Sequence, residues 1–219
     1  MDLKQAIKQT DYNARKRDLC SMVNLELVAE EERKANEQGF TIVKKRDTNK
    51  AGFVQSIKEN IGILVQSRYL TNAELAFIYS LHPLIEIHSN AIVDPETGQF
   101  LTVSEIARRL NRNVKKTSTM INELINKGII FEFVNAHELR EFGRAVSERP
   151  FFMNPEIALC GDRNRINATL SRLVLVNDKF EKRKIFLSWK LWLHKGDEYG
   201  KLYRRKTYLK YKKEAQKRP

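Results

Sequence analysis

The 219-residue chain holds only two cysteines, Cys20 and Cys160, far apart and in no C-x-x-C pair. That excludes a disulfide framework and points to a reduced, cytoplasmic protein with plain structural thiols. The four histidines, His82, His88, His137 and His194, are scattered without ligand spacing, so no metal site is expected. Long hydrophobic runs are missing too: none approaches the roughly 20 residues a spanning helix needs, and Met1-Asp2-Leu3-Lys4 leads into polar sequence rather than a secretory signal. There is no G-x-x-x-x-G-K phosphate loop, no His-x-His metal site to serve a nicking tyrosine, and no paired acidic cluster for a nuclease or polymerase. We therefore expect no enzyme and no cofactor. Acid is the remaining shortage. Against 27 Asp and Glu stand 40 Lys and Arg, a net charge of +13, which calls for a polyanionic partner, nucleic acid before a membrane surface.

What the chain does have is concentrated in Leu101 to Ile130. Thr102 followed three residues later by Glu105 is a capping box, opening a short helix with Val103, Ile106, Ala107 and Leu110 on one face. Asn111-Arg112-Asn113 interrupts it with turn and cap residues, and Asn113 is the expected N-cap of a second helix. That helix runs to Lys127 with Thr117, Met120, Ile121, Leu124 and Ile125 inward, and Gly128 stands where a left-handed C-cap belongs. The pattern is a helix-turn-helix. The opposite face carries Lys115, Ser118, Thr119 and Asn122 at steps of three and four, with Lys116 alongside. Asn pairs with adenine, Ser and Thr bond several bases, and Lys supplies phosphate charge, so these residues with Arg112 and Asn113 are the candidate DNA-binding set.

Upstream, Phe53, Val54, Ile57, Ile61, Leu64 and Val65 predict one amphipathic helix, and the Thr71 to Glu74 capping box opens another that Pro83 should end. Ala91 to Val93 and Gln99 to Leu101 flank a turn-rich loop, either as a small hairpin or with only the second stretch pairing. Downstream, Ile129 to Phe133 and Pro150 to Met153 read as facing strands. Between them Val134 to Arg149 forms a wing that offers Arg140 and Arg144 to the minor groove or to phosphates. Asn154-Pro155-Glu156 reads as a helix start. This order of strand, wing and strand, followed by Phe152-Met153-Asn154-Pro155-Glu156-Ile157 and Gly161-Asp162-Arg163, resembles the RepL family of firmicute plasmid replication initiators. The resemblance covers roughly Lys45 to Leu173 and implies a winged helix that binds a plasmid origin and works with host replication proteins. A winged-helix regulator of a phage or mobile element, acting through RNA polymerase, is the alternative.

Beyond Asp178 basic residues interleave with aromatics. Ile185, Trp189, Trp192 and Leu193 are spaced as the core face of a helix, whereas the stretch after Lys201, with Arg204, Arg205 and Lys206, has little to bury and reads as an electrostatic arm on DNA. The expected architecture is mainly α, an α+β winged helix-turn-helix domain at 48–175. A charged helical extension at 1–47, a candidate dimer arm with Leu19, Met22, Val23, Leu27 and Val28, precedes it, and a basic helical tail at 176–219 follows. The expected partners are double-stranded DNA and a second copy of the chain, with no membrane.

Overall fold

In the computed structural model, which describes residues 25–41, 52–133 and 149–217, the chain divides into two units, 1–51 and 52–219. In the first, helix α1 (Leu25–Glu37) pairs Lys34 with Glu31 at 2.9 Å and Glu30 at 3.7 Å, one turn back along its surface. Its continuation ends at Gly39. A φ of 81° there lets the Gly39 and Phe40 N–H groups donate to the carbonyls of Asn36 and Ala35. Leu19, Met22 and Val23 of the expected dimer arm lie outside the described residues.

The second unit mixes helix with short strands. In chain order these are β1 (Gln55–Ser56), α2 (Lys58–Gln66), α3 (Asn72–Leu81), a 3-10 turn at His82–Leu84, α4 (Val103–Arg109) and α5 (Val114–Lys127). Then come β2 (Ile130–Glu132), β3 (Phe151–Met153), β4 (Ala158–Leu159), β5 (Ile166–Asn167), α6 (Ala168–Val176), α7 (Lys179–Lys182), β6 (Trp189–Trp192), β7 (Tyr199–Arg204) and α8 (Arg205–Lys217). Among the described residues the strands pair antiparallel, β1 with β4, β2 with β3, and β5-β7-β6. The β2–β3 register, Ile130 to Met153 and Glu132 to Phe151, is the facing pair read from the sequence. Both capping boxes form, and α3 stops at Leu81 just before Pro83. Ala91 bridges Phe152 and Val93 bridges Phe100, so the two apolar stretches make a hairpin whose first limb lies on the free edge of β3.

Two apolar clusters hold this unit. The larger joins Leu64, Phe77, Ile78, Leu81, Ile92, Ile106, Ile121, Leu124, Ile130 and Met153, so α2 to α5 close over the β2–β3 pair. The smaller, Phe131, Leu159, Ile166, Leu170, Val174, Leu191 and Leu202, joins β2 to α6 and the three-stranded sheet.

Three expectations need correction. The helix predicted from Phe53 begins only at Lys58. Gln55 and Ser56 are drawn into pairing with β4, the Ile57 N–H donates to the Ile157 carbonyl, and Phe53 is left 68% exposed. Asn154-Pro155 opens a single turn, not a helix. The Asn154 side chain accepts from the Glu156 N–H and donates to the Gly128 carbonyl, while β4 takes the following residues into a sheet. Residues 176–219 are no tail. Trp189 to Trp192 is a strand paired with Lys201 to Arg204, and α8 lies against it, so the boundary expected at 175 runs through the middle of one unit. The spacing of Ile185, Trp189 and Trp192 fits a helix, whereas a strand puts Trp189 and Trp192 on opposite faces. Pairing with β7 and the strand preference of tryptophan decide for the strand.

Candidate nucleic-acid interface

Two helix ends define the site. Thr102 and Glu105 cap α4 reciprocally, the Thr102 N–H donating to Glu105 at 2.8 Å, and those hydrogen bonds hold the Glu105 carboxyl below its usual range. The chain then turns at Asn111, whose φ of 51° is left-handed, and the Arg112 N–H closes on the Ala107 carbonyl at 2.8 Å. Asn113 caps α5 as expected, its side chain accepting from the Lys116 N–H at 3.1 Å. Thr117, Ile121 and Leu124 are buried, and the helix ends at Gly128 with φ 75°. Arg109 is fastened to the hairpin carboxylate of Asp94, which is lowered by the Glu96 N–H first and by Arg109 second.

The outward face holds the predicted residues in one row. Lys115, Lys116, Thr119 and Asn122 are exposed and Ser118 is half-buried. The Thr119 hydroxyl donates back to the Lys115 carbonyl at 3.1 Å, which fixes its rotamer without hiding its oxygen. Asn126, one turn beyond Asn122, continues the row, and Val114 stands 47% exposed at the helix start. Sequence reading passed over both. The ladder 115, 119, 122, 126 carried the signal for Asn126. Arg112 is exposed but stacked, its guanidinium 4.9 Å from the Phe77 ring centre.

The C-terminal end of α5 is gripped from two sides. Lys127 Nζ lies 2.6 Å from the buried Glu74 carboxylate and donates to the Tyr69 carbonyl at 2.9 Å. Lys179, at the start of α7, donates to the Ile125 carbonyl at 3.0 Å, and Arg183 donates to the Tyr69 hydroxyl. Burial pushes Glu74 upward, yet Lys127 and the Thr71 cap outweigh it and hold the carboxyl below its usual value.

Of the remaining expected residues, Arg204 and Arg205 are engaged by other groups. Arg140 and Arg144 lie outside the described residues. Arg205 is no part of an arm: it forks onto Glu181 at 2.6 and 3.2 Å and covers the Phe186 ring. Arg204 lies 4.3 Å from the Trp189 ring centre and 3.5 Å from Glu59. Lys206 is exposed on α8. The premise that this stretch has little to bury fails, because Leu202 and Tyr208 are both buried.

Sequence missed the polar centre behind the sheet. Lys190 is 1% exposed, its Nζ 2.9 Å from Glu156 and 2.7 Å from Asp178, and Glu156 also accepts from the Leu191 N–H at 2.8 Å. Burial alone would lower the lysine, but two carboxylates facing one ammonium raise it. The same burial, with Asp178 beside it, pushes Glu156 up. Asn60 completes the centre, donating to the Glu156 and Trp189 carbonyls and accepting from the Trp189 N–H. Among the described residues no cluster of three or more His, Cys, Asp or Glu can hold a metal ion, and no helix is long and apolar enough to cross a membrane.

Comparison with known proteins finds similarity to an uncharacterized 23.6 kDa protein of Bacillus thuringiensis, 28% identical over 147 residues, which are 66% of this chain and 71% of the relative. No family model matches the chain, and no solved structure matches it.

Proposed function

We propose that the chain is a non-enzymatic winged-helix protein that binds double-stranded DNA through α5, and that it initiates replication from a plasmid or phage origin. The observation that carries the reading is the start of α5. A helix is stabilised by acidic residues in its first turn, yet this one has none there and presents Lys115 and Lys116 instead. Lysines at a free positive helix end suit a bound phosphate better than a stable bare helix. With the backbone held so, Ser118, Thr119, Asn122 and Asn126 face base edges in a major groove about 12 Å wide, which admits one helix, and Val114 fits a thymine methyl. The β2–β3 pair then corresponds to the two strands of the wing. The RepL resemblance supports an origin as the target and host replication proteins as partners, and the apolar positions of the 1–47 extension support a homodimer on paired half-sites.

The test is selection from a randomised duplex library. The full chain enriches one motif, and S118A/T119A/N122A loses that motif while binding random duplex within about threefold, since each good base contact is worth about 1–3 kcal/mol of discrimination. An unchanged motif sinks the assignment of α5. The role is read by placing the gene and its flanking DNA on an otherwise non-replicating circle in a bacterial host. Persistence supports the initiator, and loss of the circle with altered activity of a flanking promoter supports a regulator.

A further inference from the structure

Helix α8 is two-faced. Its inner side packs on the three-stranded sheet: Tyr208 is buried, and the Tyr211 ring lies 4.5 Å from His194, 5.1 Å from Tyr203 and 6.4 Å from Trp192. Its outer side carries Lys206, Lys210 and Lys213, all exposed and spaced i, i+4, i+7 on one stripe. Among the described residues none of the three forms an ion pair, whereas the neighbouring Arg204 and Arg205 are taken by Glu59 and Glu181. The one acid of the helix, Glu214, stands one turn beyond Lys210 at the border of the stripe and forms no ion pair with it, so the stripe stays net positive.

We infer that this stripe is a second DNA contact, a rigid one that grips the phosphate backbone of duplex without reading sequence. It rests on the DNA-binding reading above and is separate from α5. Two observations favour a polyphosphate over a folded acidic partner. The three ammonium groups are evenly spaced over about 10 Å of helix, at about 1.5 Å per residue, which suits a linear ladder of charge. They also stand almost without apolar surroundings, Leu209 at 37% exposure being the exception, where a protein interface would want a hydrophobic centre. The packed aromatic face fixes the direction of the stripe, so its contacts cost less ordering than those of a flexible arm. The rings of Tyr203, Tyr211, Trp192 and His194 are spent on each other rather than offered to bases.

The experiment measures binding of the full chain to a random-sequence 30-base-pair duplex across a salt series. K206Q/K210Q/K213Q, which keeps helix propensity, is expected to bind at least tenfold more weakly at low salt. Its slope of log affinity against log salt should fall by about 2.7, at about 0.9 per lost phosphate contact. K206R/K210R/K213R keeps the charge and keeps the slope. R163Q/R165Q/R172Q removes the same charge from other exposed positions and should change the slope by less than 1. An unchanged slope in the lysine-to-glutamine variant, or an equal fall in the arginine control, overturns the stripe and leaves α5 untouched. A loss confined to a 30-base single strand, or equal weakening on polyglutamate, overturns the duplex assignment. If S118A/T119A/N122A alone abolishes binding to random duplex, the backbone contact belongs to α5 and the stripe is refuted.

Discussion

Replacing Lys190 with Met removes the one cation from a buried cluster that holds two carboxylates. Glu156, itself 1% exposed, then keeps the Leu191 N–H as its stabilising partner and faces Asp178 with nothing between their charges. Breaking a buried pair by deleting one partner costs about 3–5 kcal/mol, a large share of the about 5–15 kcal/mol that holds a typical domain. In a unit of this size each kcal/mol moves the melting midpoint by about 2–4 °C, so K190M should melt roughly 6–20 °C below the wild type. Trp189 and Trp192 flank the site, and their fluorescence on heating reads the loss directly. The double variant K190M/E156Q should recover a good part of it, because a neutral amide still accepts from Leu191 and the charge that remains, on Asp178, is the more exposed of the two carboxylates. Acid should help the single variant. Glu156 already has a raised pKa, and losing the ammonium raises it further; a carboxyl whose folded value lies above its unfolded value of 4.5 costs nothing below 4.5 and destabilises progressively as pH climbs through the folded value. The deficit of K190M is therefore smallest near pH 4 and largest at neutral pH. A midpoint within 2 °C of the wild type, or a double variant no better than the single, would falsify this account of the centre.

Two further outcomes follow from the grip on α5. Glu74 is held below its usual value, so the stability it lends is present above pH 4.5 and lost as pH falls through its lowered folded pKa; E74Q should flatten the acid limb of the stability profile in that window. At Gly128 a Cβ would have to adopt φ 75° and would stand 3.2 Å from the Lys179 Cβ. G128A should therefore cost about 1–2 kcal/mol in a denaturant titration, and a loss no larger than that of G62A, where an added Cβ meets nothing within 4 Å, counts against the strain.

The parts of the fold that sequence reading reached are those specified by neighbours in the chain. Thr71 and Thr102 with their glutamates, Asn113, Gly128 and the β2–β3 pairing all announce themselves within a few residues, and each is where it was expected. The α5 face was legible for the same reason, down to the exposed row of Lys115, Thr119 and Asn122. What escaped was set by partners far away. Lys190 breaks the alternation of its strand because Glu156, 34 residues earlier, neutralises it, and no local pattern discloses a buried lysine. Arg205 looked free until Glu181 was seen across from it. Asn154 and Pro155 carry a true helix-start signature, overridden when β1, about a hundred residues upstream, claims the next segment.

Asn60 has a consequence for how this protein is made. Its amide ties α2 to Glu156 and to Trp189, partners 96 and 129 residues away. A chain leaving the ribosome exposes α5 early, but the two carboxylates meant for Lys190 and the apolar underside of α6 stay unmatched until residues 189 to 204 emerge. Completion of the 52–219 unit is thereby coupled to synthesis of its far end. A chain that stops before β6 is therefore a poorly folded product with a hydrophobic face exposed, and a natural substrate for degradation, rather than a working fragment.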